Sequence, residues 1–195
     1  PDLYNTASNS APGVGKWSLM DSGIYIGSPL GSNPSHLDAC SKLFLGFNAP
    51  QNISFSTPLS TTMAQAETTR YGVIRIPIEV SDVGSANEYF LLEYRRTSGA
   101  SYDTALPASG LLVWHIDDAI ATDPSRLENN TVNIAPSHRG VDLVEADNTD
   151  VTVDGGGAGD AWTTTAFGAP FSNAYNGVAS QISATSLSGA GGTSM

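Results

Sequence analysis

Apolar residues recur along this chain in two rhythms, and each predicts a different kind of element. Between residues 33 and 46 the rhythm is helical, with Leu37, Cys40, Leu43 and Phe44 falling on one face. Asn33 is placed to cap that helix, Pro34 suits its first position and Gly46 supplies the stop. A helix over about 34–45 follows. Asp38, Ser41 and Lys42 would face outwards, and Cys40 would pack in the stripe as a small hydrophobe. Further on the period becomes two. Tyr71 to Val80 (Val73, Ile74, Ile76, Ile78, Val80) reads as a strand, with Pro77 marking an edge or a bulge. Glu88 to Arg96, Gly110 to Ile116 and Val141 to Val144 read as three more. Turn-rich stretches such as Val83-Gly84-Ser85 and Leu106-Pro107-Ala108-Ser109-Gly110 separate them, and from about Asn148 the chain is polar and Gly-rich. One helix followed by strands, without βαβ alternation, repeat or linker, predicts a single α+β domain or subdomain over 1–195. Its pairing should be mainly antiparallel, with long Gly/Ser/Thr-rich loops.

Composition narrows the function. Eight basic residues stand against 19 acidic ones, net −11, with a pI near 4.3. Nucleic acid and anionic membranes are poor partners for such a surface, because phosphate binding needs clustered Lys and Arg. No apolar run of the length needed to span a bilayer exists. Cys40 is the only cysteine, so neither an internal disulfide framework nor a Cys-based zinc cluster can form. Charged residues are only 14% of the chain, and Ser, Thr, Asn and Gly abound, which points to a secreted, extracellular protein.

Catalytic patterns are incomplete. The histidines are His36, His115 and His138, and no two are spaced i, i+4, so the chain holds no H-E-x-x-H helix. There is no G-x-S-x-G elbow, P-loop or Rossmann glycine pattern. His115, at the end of Leu111-Leu112-Val113-Trp114-His115-Ile116-Asp117, is either a ligand or proton carrier, or a half-buried imidazole bonded to Asp117 or Asp118. No residue of the chain is assigned as catalytic.

The opening Pro1-Asp2-Leu3-Tyr4 and the run Gly15-Lys16-Trp17-Ser18-Leu19-Met20-Asp21-Ser22-Gly23 are more informative. So are Lys42-Leu43-Phe44-Leu45-Gly46-Phe47, Glu88-Tyr89-Phe90-Leu91-Leu92-Glu93 and Gly140-Val141-Asp142-Leu143-Val144-Glu145-Ala146-Asp147. In that order these stretches resemble landmarks of the immune inhibitor A-like family of secreted zinc metallopeptidases, over about residues 1 to 160. The family's metal helix carries H-E-x-x-H-x-x-G-x-x-D, and the chain resembles a piece that opens at the last x of that motif. The resemblance implies that Asp2 is the third zinc ligand and that Met20 lies in a tight turn beneath the metal. It also implies that the two His ligands and the general-base Glu lie upstream, and that both ends are truncated. The implied fold is the C-terminal part of a zincin or metzincin-like catalytic domain. The implied activity is zinc-dependent endopeptidase hydrolysis of protein or peptide substrates by metal-activated water, with this chain inactive alone.

A second candidate site rests on the residues themselves. Asp147, Asp150, Asp154 and Asp160 fall within fourteen residues of a Gly-rich loop, and calcium needs six to eight hard oxygens that such a loop can supply. The alternative to a peptidase portion is therefore a non-catalytic, calcium-stabilised extracellular β-rich module that binds a partner.

Overall fold

The computed structural model describes residues 1–8, 11–54, 58–79, 87–99, 102–164 and 166–185. Strands β1 (Gln51–Asn52), β2 (Val73–Pro77), β3 (Glu88–Arg95), β4 (Gly110–Asp117) and β5 (Val141–Leu143) form one sheet in chain order. The β1–β2 pair is parallel and every other pair antiparallel, so the domain is α+β with a mixed sheet. Helices α1 (Ala39–Phe44), α2 (Asp118–Ala121), α3 (Pro124–Glu128) and α4 (Val151–Asp154) are all short. Val80 and the turn Val83-Gly84-Ser85 lie outside the described residues.

Strands β3 and β4 are buried along their whole length because both faces of the sheet are covered. Strand alternation divides their side chains into two cores. Tyr89 and Leu91 with Leu112, Trp114 and Ile116 point to one side, where Leu3, Val14, Trp17 and Ala39 of the N-terminal segment cover them. Phe90, Leu92 and Tyr94 with Leu111 and Val113 point to the other, where Trp162 and Phe167 close the layer. The second cover comes from the Gly-rich stretch after residue 148, whose widely spaced aromatics show no periodicity. Pro77 ends β2. Ile78 N–H already bonds the Glu88 carbonyl, so the missing proline N–H faces the β1 side, beyond the two residues of that strand.

The helix predicted over 34–45 begins later and turns differently. Asp38, rather than Asn33, is its cap: Oδ1 accepts from Ser41 N–H at 2.7 Å, while Oδ2 accepts from the Ser18 and Ser41 hydroxyls at 2.6 and 2.7 Å. Residues 35 and 36 spend their backbone groups on tertiary partners instead of helical ones. Ser35 N–H bonds the Gly23 carbonyl, His36 N–H bonds Asp103 Oδ1, and Leu19 N–H bonds the His36 carbonyl. The buried face of α1 carries Ala39 and Lys42, whereas Phe44 is 58% exposed. Lys42 and Asp38, expected outside, are thus inside. Lys42 Nζ meets Glu93 at 2.7 Å, Glu93 Oε1 accepts from Arg95 and Trp114 Nε1, and Arg95 forks onto Asp103 through Nε and Nη2. Four charges are sealed between α1 and the sheet.

Candidate functional site

Two regions hold the residues singled out from sequence. The first is the N-terminal corner. Leu3 is buried, and its N–H donates to the Met20 carbonyl at 2.8 Å, while its own carbonyl accepts from Asn133 Nδ2 at 3.0 Å. Asp21, the next residue after Met20, is buried and organises the turn. Its Oδ2 accepts from the N–H groups of Gly13, Val14 and Gly15, and its Oδ1 accepts from Ser22 N–H. Gly13 is required here, since a Cβ would lie 1.9 Å from the Leu3 carbonyl oxygen. Met20 is partly buried and packs against the first core.

Asp2 is half-exposed beside this turn. Its N–H donates to Asn130 Oδ1 at 2.7 Å, and its Oδ2 accepts from the Tyr4 hydroxyl at 2.8 Å and from Asn130 Nδ2. Asn130 follows the C-cap of α3 in the left-handed region, φ 56°, which Asn tolerates and which aims its amide at Asp2. The bond to Asp2, and then its charge, raise the Tyr4 hydroxyl above its ordinary pKa. Oδ1 of Asp2 has no hydrogen-bond partner among the described residues. A cavity of about 190 Å³ adjoins the corner, walled by Leu3, Leu43, Phe44, Tyr89 and Val141 with Asp118 at its side. Cys40 lines the same cavity, and burial pushes its thiol well up, which fits the small-hydrophobe reading rather than a nucleophile.

The second region is the acidic loop. Asp147 Oδ1 accepts from Thr149 N–H and Asp154 Oδ1 from Gly156 N–H, both at 2.9 Å. Asp160 is fully buried; its Oδ2 accepts from Trp17 Nε1 at 2.7 Å and from Gly157 N–H at 2.9 Å. Asp150 parts company with these three. It caps α4 through Thr152 N–H and pairs with Arg139 at 3.1 and 3.2 Å. Among the described residues, no three His, Cys, Asp or Glu side chains are gathered into a group that could hold a metal ion.

A third cluster escaped sequence reasoning. The Tyr175 ring lies between His115 and His138, with centroids 4.1 and 4.0 Å away. His115 Nε2 pairs with Glu88 at 2.9 Å, not with Asp117 or Asp118, and Asp117 pairs instead with His138 Nε2 at 2.9 Å. Tyr175 N–H donates to Glu88 and its hydroxyl to the Arg139 carbonyl, both at 2.9 Å. Burial pushes the Glu88 carboxyl up, but the His115 and Tyr175 N–H bonds outweigh it and leave it below its ordinary pKa. His115 Nε2, His138 Nε2, Glu88 Oε2, Asp117 Oδ2 and the Tyr175 hydroxyl are all bonded within the fold, and the sandwich serves as a clamp. It fastens residues 166–185 across the ends of β3 and β4. His36 meets Tyr102 edge-on, and burial lowers its pKa. The three imidazoles are shared between two separate places, and none is placed with Asp2. A scan against protein-family models finds no match for this chain, and a search of curated proteins finds none either.

Proposed function

We propose that this chain is the C-terminal portion of the catalytic domain of a secreted zinc endopeptidase, in which Asp2 serves as the third metal ligand and the Met20 turn supports it. The observation that supports this reading is the Leu3 N–H to Met20 carbonyl bond. It joins the residue after the candidate ligand to the methionine turn, as a metal floor beneath that ligand requires. The free Oδ1 of Asp2, with Oδ2 held by Tyr4 and Asn130, is the arrangement expected of a ligand oriented from behind.

A hydrolytic zinc ion takes three protein ligands and keeps a fourth position for water. The residues of this chain do not fit that ion by themselves, since Asp2 stands apart from all three histidines, and no catalytic step is assigned to them. Their part in the proposal is to present and orient one carboxylate, and the chain alone is expected to be inactive. Protein or peptide substrates follow from the same reading.

The test is made on the intact secreted protein. Asp2→Asn should lower bound zinc and casein cleavage at least tenfold with the fold unchanged, while Met20→Leu should weaken zinc retention modestly. The reading falls if Asp2→Asn keeps its zinc and activity, or if no H-E-x-x-H precedes Pro1 in the reading frame. An intact protein free of zinc would favour the non-catalytic binding module instead.

A further inference from the structure

Residues 166–185 bond among themselves. Phe167 and Ala184 exchange both backbone bonds, at 3.0 and 2.8 Å, and Ala174 N–H donates to the Val178 carbonyl at 2.9 Å. Onto the sheet the segment lays apolar rings, with Phe167 edge-on to Phe90 and to Trp162 at 5.2 and 5.3 Å. Its polar fastening to β3 comes from Tyr175, whose N–H donates to Glu88 Oε2 at 2.9 Å. That same oxygen pairs with His115 Nε2. One carboxylate oxygen thus holds β4 and the segment at once.

The charges about the Tyr175 ring stand in two matched pairs. Glu88 on β3 faces His115 on β4, and Asp117 at the end of β4 faces His138 in the loop before β5. With both carboxylates ionised, each imidazole has an acceptor whether or not it carries a second proton, and a charged one gains an ion pair and a seat on the ring face. With both carboxylates protonated, two imidazolium ions are left on opposite faces of one ring without a counter-charge, and His115 is only 5% exposed. A buried charge that has lost its partner is strongly destabilising. The other groups on this side do not fill the gap. Asp142, opposite His115 on β5, is taken by Arg139, which also meets Asp150. The Tyr175 hydroxyl, pushed well up by burial, keeps its proton throughout.

We propose that this sandwich is an acid-released latch, which fastens residues 166–185 over the sheet near neutral pH and frees them in acid while β3 and β4 stay folded. Burial raises the Glu88 carboxyl, but the His115 and Tyr175 bonds leave it below its ordinary 4.5. Its contribution is therefore whole above pH 4.5 and is lost as the pH falls through the lower folded value. Glu93, under α1, is held at about 2, so the sheet keeps its own ion pairs into stronger acid. Release uncovers Phe90 and Trp162 on the second core. The latch shares no residue with the Asp2 corner, so it stands or falls apart from the zinc reading.

The test is amide hydrogen exchange on the 195-residue chain, corrected for the intrinsic rate at each pH. Between pH 6.0 and pH 3.5 the protection of residues 166–185 should fall about tenfold or more, while that of β3 and β4 stays within about threefold. Binding of the apolar dye ANS should rise over the same range. Glu88→Gln should loosen the segment already at pH 6.0. His115→Gln/His138→Gln keeps an N–H donor at each place but cannot become charged. It should hold the segment at pH 3.5 within about threefold of its own protection at pH 6.0. Loss of protection by strands and segment together overturns the latch, and so does an acid response that persists unchanged in the double histidine variant. Wild-type protection of the segment in Glu88→Gln at pH 6.0 overturns it as well.

Discussion

Replacing Lys42 with Met keeps the length of an apolar stem and removes only the charge that sits 2.7 Å from Glu93. The pair is sealed, with side chains 3% and 0% exposed, so water cannot take over the lost partner. Glu93 would retain Arg95 and Trp114 Nε1 on its other oxygen. Arg95, however, already neutralises Asp103, so the variant buries two carboxylates against one guanidinium. Removing one partner of a buried pair costs roughly 3–5 kcal/mol, and the surviving bonds place this case at about 3 kcal/mol. The titration of Glu93, on which Lys42 and Arg95 act together, sets the pH dependence. Burial alone would push Glu93 up, but Lys42 and then Arg95 outweigh it and hold the carboxyl at about 2, against an ordinary 4.5. A depressed carboxyl contributes its stability above the unfolded pKa and loses it as the pH falls through the folded one. The gap corresponds to about 3 kcal/mol, present above pH 4.5 and lost towards pH 2.

Urea unfolding of the wild type and of Lys42→Met at neutral pH should therefore differ by about 3 kcal/mol, or roughly 6–12 °C in melting temperature. The difference should shrink between pH 4.5 and pH 2, as Glu93 takes up its proton. Lys42→Met/Glu93→Gln should recover more than half of the loss, because a neutral amide needs no counter-charge and still accepts from Trp114. A single-variant cost below about 1 kcal/mol, or a double variant as poor as the sum of its parts, would show that the charges do not depend on one another.

The same pair shows where sequence reading stops. The strand positions were legible because Val, Ile, Leu and aromatic residues cluster between turn signals: the observed β2, β3 and β5 lie within the predicted runs, and β4 exceeds its run by one residue, Asp117. Residue 42 was misread because its partner is 51 positions away, and only the folded sheet brings Glu93 beneath α1. The helix start failed for a similar reason. Asn33-Pro34 is a sound local cap, but Gly23, Leu19 and Asp103 claim the backbone of residues 35 and 36. Helices α2, α3 and α4 have four or five residues each, too few for a period to show, although their caps Asp117, Asp123 and Asp150 are residues of the capping type. In the candidate sites, the adjacency of Leu3 and Met20 follows from order along the chain once the turn is recognised. The parting of Asp150 from its three neighbours does not, since it depends on where Arg139 lies. His115, His138 and Tyr175 come together across sixty residues that share no pattern.

Two further pairs of substitutions probe these features. Tyr175→Phe should cost about 1 kcal/mol, the worth of the hydroxyl bond to Arg139, whereas Tyr175→Ala should cost about 3 kcal/mol or more by emptying the space between the two imidazoles. Similar costs for the two in urea unfolding would mean that the ring is not the clamp. For the helix start, Asp38→Ala removes the acceptor of Ser41 N–H and of two hydroxyls, the buried Ser18 and the part-buried Ser41. A cap is worth about 1 kcal/mol and the stranded buried hydroxyl of Ser18 adds at least as much, so a loss of about 2 kcal/mol is expected. Asn33→Ala should change stability by less than about 0.5 kcal/mol. If Asn33→Ala were the costlier of the two, the helix would begin where its sequence pattern alone puts it, and the seat of Lys42 beneath the sheet would have to be redrawn with it.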